Sequence, residues 1–157
     1  MGIEPSVTYT TAVSEGDEDA ITARLVAYNR AHGPKIAPPQ AARPLHVFAR
    51  APDGRVVGGL VGRTHAIPYW LEISIVWVDD SYRRQGIGRC LLQTAEHEAR
   101  VRGCRHARLA TSDYQAPGFY ARLGYEQYGE LADCPPGERV FYLCKPLTSH
   151  EARSGVD

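Results

Sequence analysis

The hydrophobic positions of this 157-residue chain fall into short segments with two different periods. Residues 7–13 are rich in β-branched side chains and predict a strand. Residues 17–31 carry Ile21, Leu25, Val26 and Tyr28 near helical spacing, behind acidic residues. They predict a helix that Gly33 and Pro34 end. Residues 32–44 contain four prolines and predict a loop with at most a short helical turn. Residues 45–51 and 56–67 predict a hairpin about the Pro52-Asp53-Gly54-Arg55 turn. Gly58-Gly59 marks a bulge or a close backbone approach in its second strand. Residues 69–78 are apolar at nearly every position, which predicts a strand at the centre of a sheet.

The second half continues the mixture. A polar loop at 79–85 precedes a strong helix at 86–102, with Ile87, Leu91, Leu92, Ala95 and Ala99 along one stripe. Gly103 suits its C-terminal cap. A strand follows at 106–111, then a short helix at 115–123 stopped by Gly124. Strands at 125–131 and 139–145 flank the Pro135-Pro136-Gly137 turn. This order predicts an α+β fold, a mixed and mostly antiparallel sheet flanked by helices. Residues 1–148 are expected to form one domain, and residues 149–157 a flexible tail.

Composition changes this picture only by exclusion. The chain is 43% hydrophobic and 23% charged with a formal net charge of zero, which disfavours a nucleic-acid partner. No apolar run is long enough to predict a membrane span, and residues 1–5 do not resemble a signal peptide. Cys90, Cys104, Cys134 and Cys144 form no C-x-x-C pair, and the histidines show no H-x-x-x-H spacing. The expectation is a cytoplasmic chain with free thiols and no metal.

The chemistry concentrates in Arg83-Arg84-Gln85-Gly86-Ile87-Gly88-Arg89. A buried strand runs into a loop that opens a long helix with two glycines at its start. The first helical amides lack intrahelical partners and carry partial positive charge, which suits a phosphate or pyrophosphate. A Rossmann fingerprint would need a third glycine where Leu91 stands, and a Walker A loop would need Gly-Lys-Ser/Thr. Taken alone, the segment is also compatible with a purely structural helix start.

The segment Arg83-x-x-Gly86-x-Gly88 resembles the (Q/R)-x-x-G-x-(G/A) signature of the GCN5-related N-acetyltransferase (GNAT) superfamily. Downstream, Asp113-x-x-Ala116-x-x-x-Tyr120 followed by Gly124-Tyr125 resembles the family's N-x-x-A-x-x-x-Y and Gly-Phe/Tyr marks. Asp113 departs from the usual Asn and cannot donate an amide hydrogen bond. The resemblance spans residues 7–147 and implies acetyl-CoA as cosubstrate. It implies coenzyme contacts from Val76, Val78, Arg83, Arg84, Gln85, Gly86, Ile87, Gly88, Arg89, Asp113 and Tyr120. It further implies that Tyr120 is the general acid for the leaving thiolate, and that a widened gap beside the central strand exposes the Val76 amide to the thioester carbonyl.

Glu72 is the candidate base. Strand alternation places 72, 74, 76 and 78 on one face, with Trp77 opposite and in the core. A carboxylate in a central strand is unusual, although Arg63 or His65 of the neighbouring strand could also pair with it. Family members build the acceptor pocket where Tyr28, Asn29, Tyr69 and Trp70 lie. The expected activity is direct acetyl transfer to a primary amine, most simply that of a small molecule. A protein amine as acceptor, or a non-catalytic acyl-CoA-binding regulator, are the alternatives. A homodimer is compatible with the family.

Overall fold

The computed structural model describes residues 7–33, 41–66 and 69–147. The expected tail at 149–157 and most of the proline-rich loop lie outside the described residues. The chain divides into two compact units, Met1–Pro38 and Pro39–Asp157.

In the first unit, helix α1 spans Asp17–His32, led by Asp17, Glu18 and Asp19. Ser14 N–H donates to the Asp17 carboxylate at 2.9 Å, and Gly33 N–H closes the other end on Asn29 O at 2.7 Å. Residues 7–13 are not a strand, contrary to the expectation from their composition. No ladder partner faces them among the described residues, and β-propensity without a partner leaves backbone groups unpaired.

The second unit contains β1 (Arg43–Arg50), β2 (Val56–His65), β3 (Trp70–Val78), a 3-10 turn (Asp80–Tyr82), α2 (Ile87–Val101), β4 (His106–Ser112), α3 (Pro117–Ala121), β5 (Glu126–Ala132) and β6 (Arg139–Pro146). The strands form one sheet in the order β1-β2-β3-β4-β6-β5, antiparallel except where β3 meets β4. Helix α2 lays Leu91, Leu92, Ala95 and Ala99 over β1–β3, where Leu45, Leu60, Leu71 and Ile73 meet them. Leu60, Leu71 and Leu92 are fully buried. Gly103, with φ +86°, ends α2 as its sequence position predicts. Gly58 is a close approach, since a Cβ there would meet Ile87 at 3.2 Å.

Two irregularities set the shape of β3. Opposite β2, Val61 pairs with Ile75 and Gly62 with Ile73, so Ser74 is an extra residue. Such a bulge reverses the alternation of side chains that follow it. Before it, Leu71 and Ile73 face the core; after it, Val76 and Val78 do, while Ile75 and Trp77 are exposed. The expectation that 72, 74, 76 and 78 share a face is therefore corrected. Glu72 lies on the face opposite Val76 and Val78, and Trp77 shares the Glu72 face outside the core.

The second irregularity is that β3 and β4 pair only from Trp70↔His106 to Ile73↔Leu109. Beyond that rung β3 stays with β2 as far as Val78, and β4 stays with β6 as far as Ser112. The sheet thus divides into two halves at Ser74. Gly62 enables this close bulged crossing, because a Cβ there would lie 2.6 Å from the Glu72 carbonyl oxygen. Gly62→Ala is expected to destabilise the fold by about 1–3 kcal/mol. Urea unfolding measures this, and an unchanged midpoint would mean that the bulge tolerates the methyl group.

Candidate active site

The divided sheet leaves backbone groups of β3 without a strand partner. Asp79 N–H donates to Val57 O at 2.9 Å, so the odd-numbered residues after the bulge bond to β2. Antiparallel alternation then turns the amides of Val78 and Val76 into the gap. The carbonyl of Val78 accepts from Arg83 Nε at 3.2 Å. Phe119 and Tyr120 of α3 pack against the core with Val76 and Val78.

The loop after β3 is fixed by its own side chains. Arg83 pairs with Asp80 at 2.7 Å, Asp79 accepts from Ser81 N–H at 2.9 Å, and Gln85 donates to Ser81 O at 3.2 Å. Arg84 and Gly86 have φ of 60° and 83°. Gly86 is the N-cap of α2, and no side chain caps this helix. The first intrahelical bond is Cys90 N–H to Gly86 O, so the amides of Ile87, Gly88 and Arg89 precede the ladder. Gly88 serves packing: a Cβ there would meet Phe119 at 3.0 Å. Arg84 and Arg89 have no ion-pair partner among the described residues.

Tyr120 is half-buried, and burial alone pushes its hydroxyl above the usual tyrosine value. Its ring meets Phe119 and Tyr125 edge-on, with centroids at 5.1 and 5.9 Å. Tyr125 is in turn anchored, donating to the buried Glu96 carboxylate at 3.0 Å. Glu96 also takes Lys145 Nζ at 2.8 Å and lies 3.6 Å from Arg100. These partners offset the cost of a carboxylate on the core face of α2. Burial first, and the Glu96 charge second, hold the Tyr125 hydroxyl protonated at any working pH.

On the opposite face, Glu72 bridges three strands. Its Oε2 lies 2.9 Å from His65 Nε2 on β2 and its Oε1 3.3 Å from Arg108 on β4. Glu72 and Arg108 are register partners one rung before the sheet divides. The Arg108 guanidinium lies 3.6 Å over the Trp70 ring. Trp70 therefore belongs with Glu72. Tyr69, with φ 67°, is instead a junction residue beneath Arg105. Tyr28 and Asn29 lie on α1, in the other unit.

Asp113 is committed to its own neighbourhood. It accepts from Tyr114 N–H at 3.0 Å and pairs with Arg139 at 3.5 Å. Partial burial works against its ionised form, but hydrogen bonds from Glu138 and from Arg139 and Tyr114 outweigh it and lower its pKa. The partner Glu138 is raised by the same contact. Sequence reasoning did not single out Arg108 or Glu96. Glu96 was visible in principle, as a carboxylate beside Leu92, Ala95 and Ala99 on the apolar stripe. Glu96→Ala would strand Lys145 and the Tyr125 hydroxyl and should cost about 3 kcal/mol, the low end for a broken buried pair. Chemical denaturation measures this, and a loss below the error of the method would make the network dispensable.

Residues 43–127 match a family model described as an acetyltransferase (GNAT) domain. The blasticidin-S acetyltransferase of Streptomyces morookaense is 41% identical over 114 residues, covering 70% of this chain and 82% of that protein. An acetyltransferase of Agrobacterium fabrum is 38% identical over 128 residues, covering 82% of this chain and 89% of that protein. Among solved structures, an acetyltransferase from Bacillus cereus superimposes with a TM-score of 0.73 at 28% identity, covering 88% of this chain and 97% of the other. A model match over more than half of the chain and two long relatives above one-third identity lead to one conclusion: the chain belongs to the GNAT acetyltransferase family.

Proposed function

We propose that this protein transfers acetyl from acetyl-CoA directly to the primary amine of a small molecule, within a ternary complex. The observation that carries the reading is the gap after Ile73 and Leu109, into which strand alternation turns two unpaired β3 amides. Acyl transfer needs a donor where the carbonyl oxygen gains charge, and the Val76 amide is such a donor on a rigid strand. The uncapped start of α2, with Arg84 and Arg89 beside it, suits the coenzyme's pyrophosphate, and Val78 extends the backbone edge toward its pantetheine arm. Asp113 is tied to Arg139 and contributes at most the shape of that wall.

Proton transfers complete the scheme. Tyr120, kept protonated by burial, gives its proton to the departing sulfur. An alkylamine is mostly protonated at neutral pH and must lose a proton before it attacks. Glu72, or a water it holds, removes that proton on the open face of the sheet. A small acceptor is favoured because the 41% identical relative is named for blasticidin S.

Three measurements test this reading. Acetyl-CoA should raise the melting temperature, and Gly86→Asp should abolish the shift, by placing a side chain at φ +83° and a negative charge beside the phosphates. A retained shift would put the pyrophosphate elsewhere. Tyr120→Phe should lower kcat by about 100-fold while acetyl-CoA still stabilises the protein; wild-type turnover would remove Tyr120 as the acid. Free-thiol release on adding blasticidin S is expected. Release with lysine peptides and none with blasticidin S would overturn the small-molecule acceptor.

A further inference from the structure

We infer that His65 is the terminal acceptor of the amine's proton, and that Glu72 orients it. This rests on the acetyl-transfer reading above. Both Glu72 oxygens are engaged, Oε2 by His65 Nε2 at 2.9 Å and Oε1 by Arg108 at 3.3 Å. Protonating Glu72 would weaken both of these contacts, which are strongest to the carboxylate. A carboxylate on Nε2 selects the tautomer with the proton there and leaves Nδ1 with a lone pair. Nδ1 has no hydrogen-bond partner among the described residues. It is the one basic atom of the cluster that is not already committed.

The surroundings suit a proton exit. His65 lies opposite Trp70, four residues before Ser74, or about 13 Å along the strand. The proton therefore travels over water. Two buried donors in this cluster, Trp70 Nε1 and Arg108 Nε, have no acceptor among the described residues, and such donors suit a bridging water. The His65 side chain is 26% exposed, which opens the far end to solvent. The charged and titratable groups on its face of the sheet are Arg63 of β2 opposite Glu72, His106 and Arg108 of β4, and Glu72 itself. Tyr120 packs on the other face of the sheet, so the proton taken from the amine and the proton given to sulfur follow separate routes.

The step balances. An N–H bond of the acceptor ammonium breaks and its electron pair stays on nitrogen for attack. The proton crosses water to Nδ1, and the imidazolium then releases it to solvent.

Two measurements test the assignment. In a long-range proton–nitrogen NMR spectrum, the His65 signals, identified by their loss in His65→Gln, should report the Nε2–H tautomer. Glu72→Gln should mix the tautomers. An Nδ1–H tautomer, or one indifferent to Glu72→Gln, overturns the proposal. In thiol-release assays with blasticidin S, His65→Gln should keep a donor to Glu72 yet lower kcat about 100-fold at neutral pH. The KM for acetyl-CoA should be unchanged, and the deficit should shrink as pH rises. His46→Gln, on the same face without contact to Glu72, should behave as wild type. A His65→Gln profile parallel to wild type also overturns the proposal. Absence of thiol release by the wild type would instead count against the acceptor reading, and the NMR result would still decide whether Glu72 fixes His65.

Discussion

Ser74 has no partner on β2, and much of the site follows from that single surplus residue. The bulge turns the side chains after it through half an alternation, so Val76 and Val78 join the core and Trp77 leaves it. It also coincides with the end of the β3–β4 pairing. A parallel ladder that stops early would normally waste hydrogen bonds. Here the unpaired edge becomes a row of backbone donors held by a strand that remains bonded to β2. Gly62 and Gly88 make room for the arrangement, one beneath the Glu72 carbonyl and the other beneath Phe119.

The two faces of the divided sheet are chemically distinct. The α2 and α3 face holds Tyr120 against Tyr125, which Glu96 and Lys145 anchor from inside the core. The open face holds Glu72 between His65 and Arg108. Both clusters use a carboxylate with cationic partners, but to different ends. Glu96 is almost wholly buried and fixes an aromatic ring. Glu72 is partly exposed and sits where the strands part.

The sequence reveals most of the framework, because the α2 stripe, the Gly54 hairpin turn and the Gly86 helix start each carry a local physical signature. It also points to Tyr120 and to the loop around Arg83, through spacing shared with a family. It misleads at residues 7–13, where strand propensity meets no partner strand. It misleads again at β3, where period-two alternation is assumed to run unbroken. A bulge leaves almost no local trace in composition: Glu72-Ile73-Ser74-Ile75 reads as ordinary strand. The pairing of Glu72 with Arg108 depends on the register between strands 36 residues apart, which no local pattern encodes.

The central claim is that the gap between β3 and β4 receives the thioester, with the Val76 amide as donor. Backbone amide NMR during titration with acetyl-CoA tests it most directly. The Val76 and Val78 signals should move together with those of Ile87 to Arg89, while Leu71 and Ile73, inside the paired part of β3, should stay. Movement of the α2 amides with Val76 and Val78 unperturbed would mean that the coenzyme binds without entering the gap, and would contradict the account.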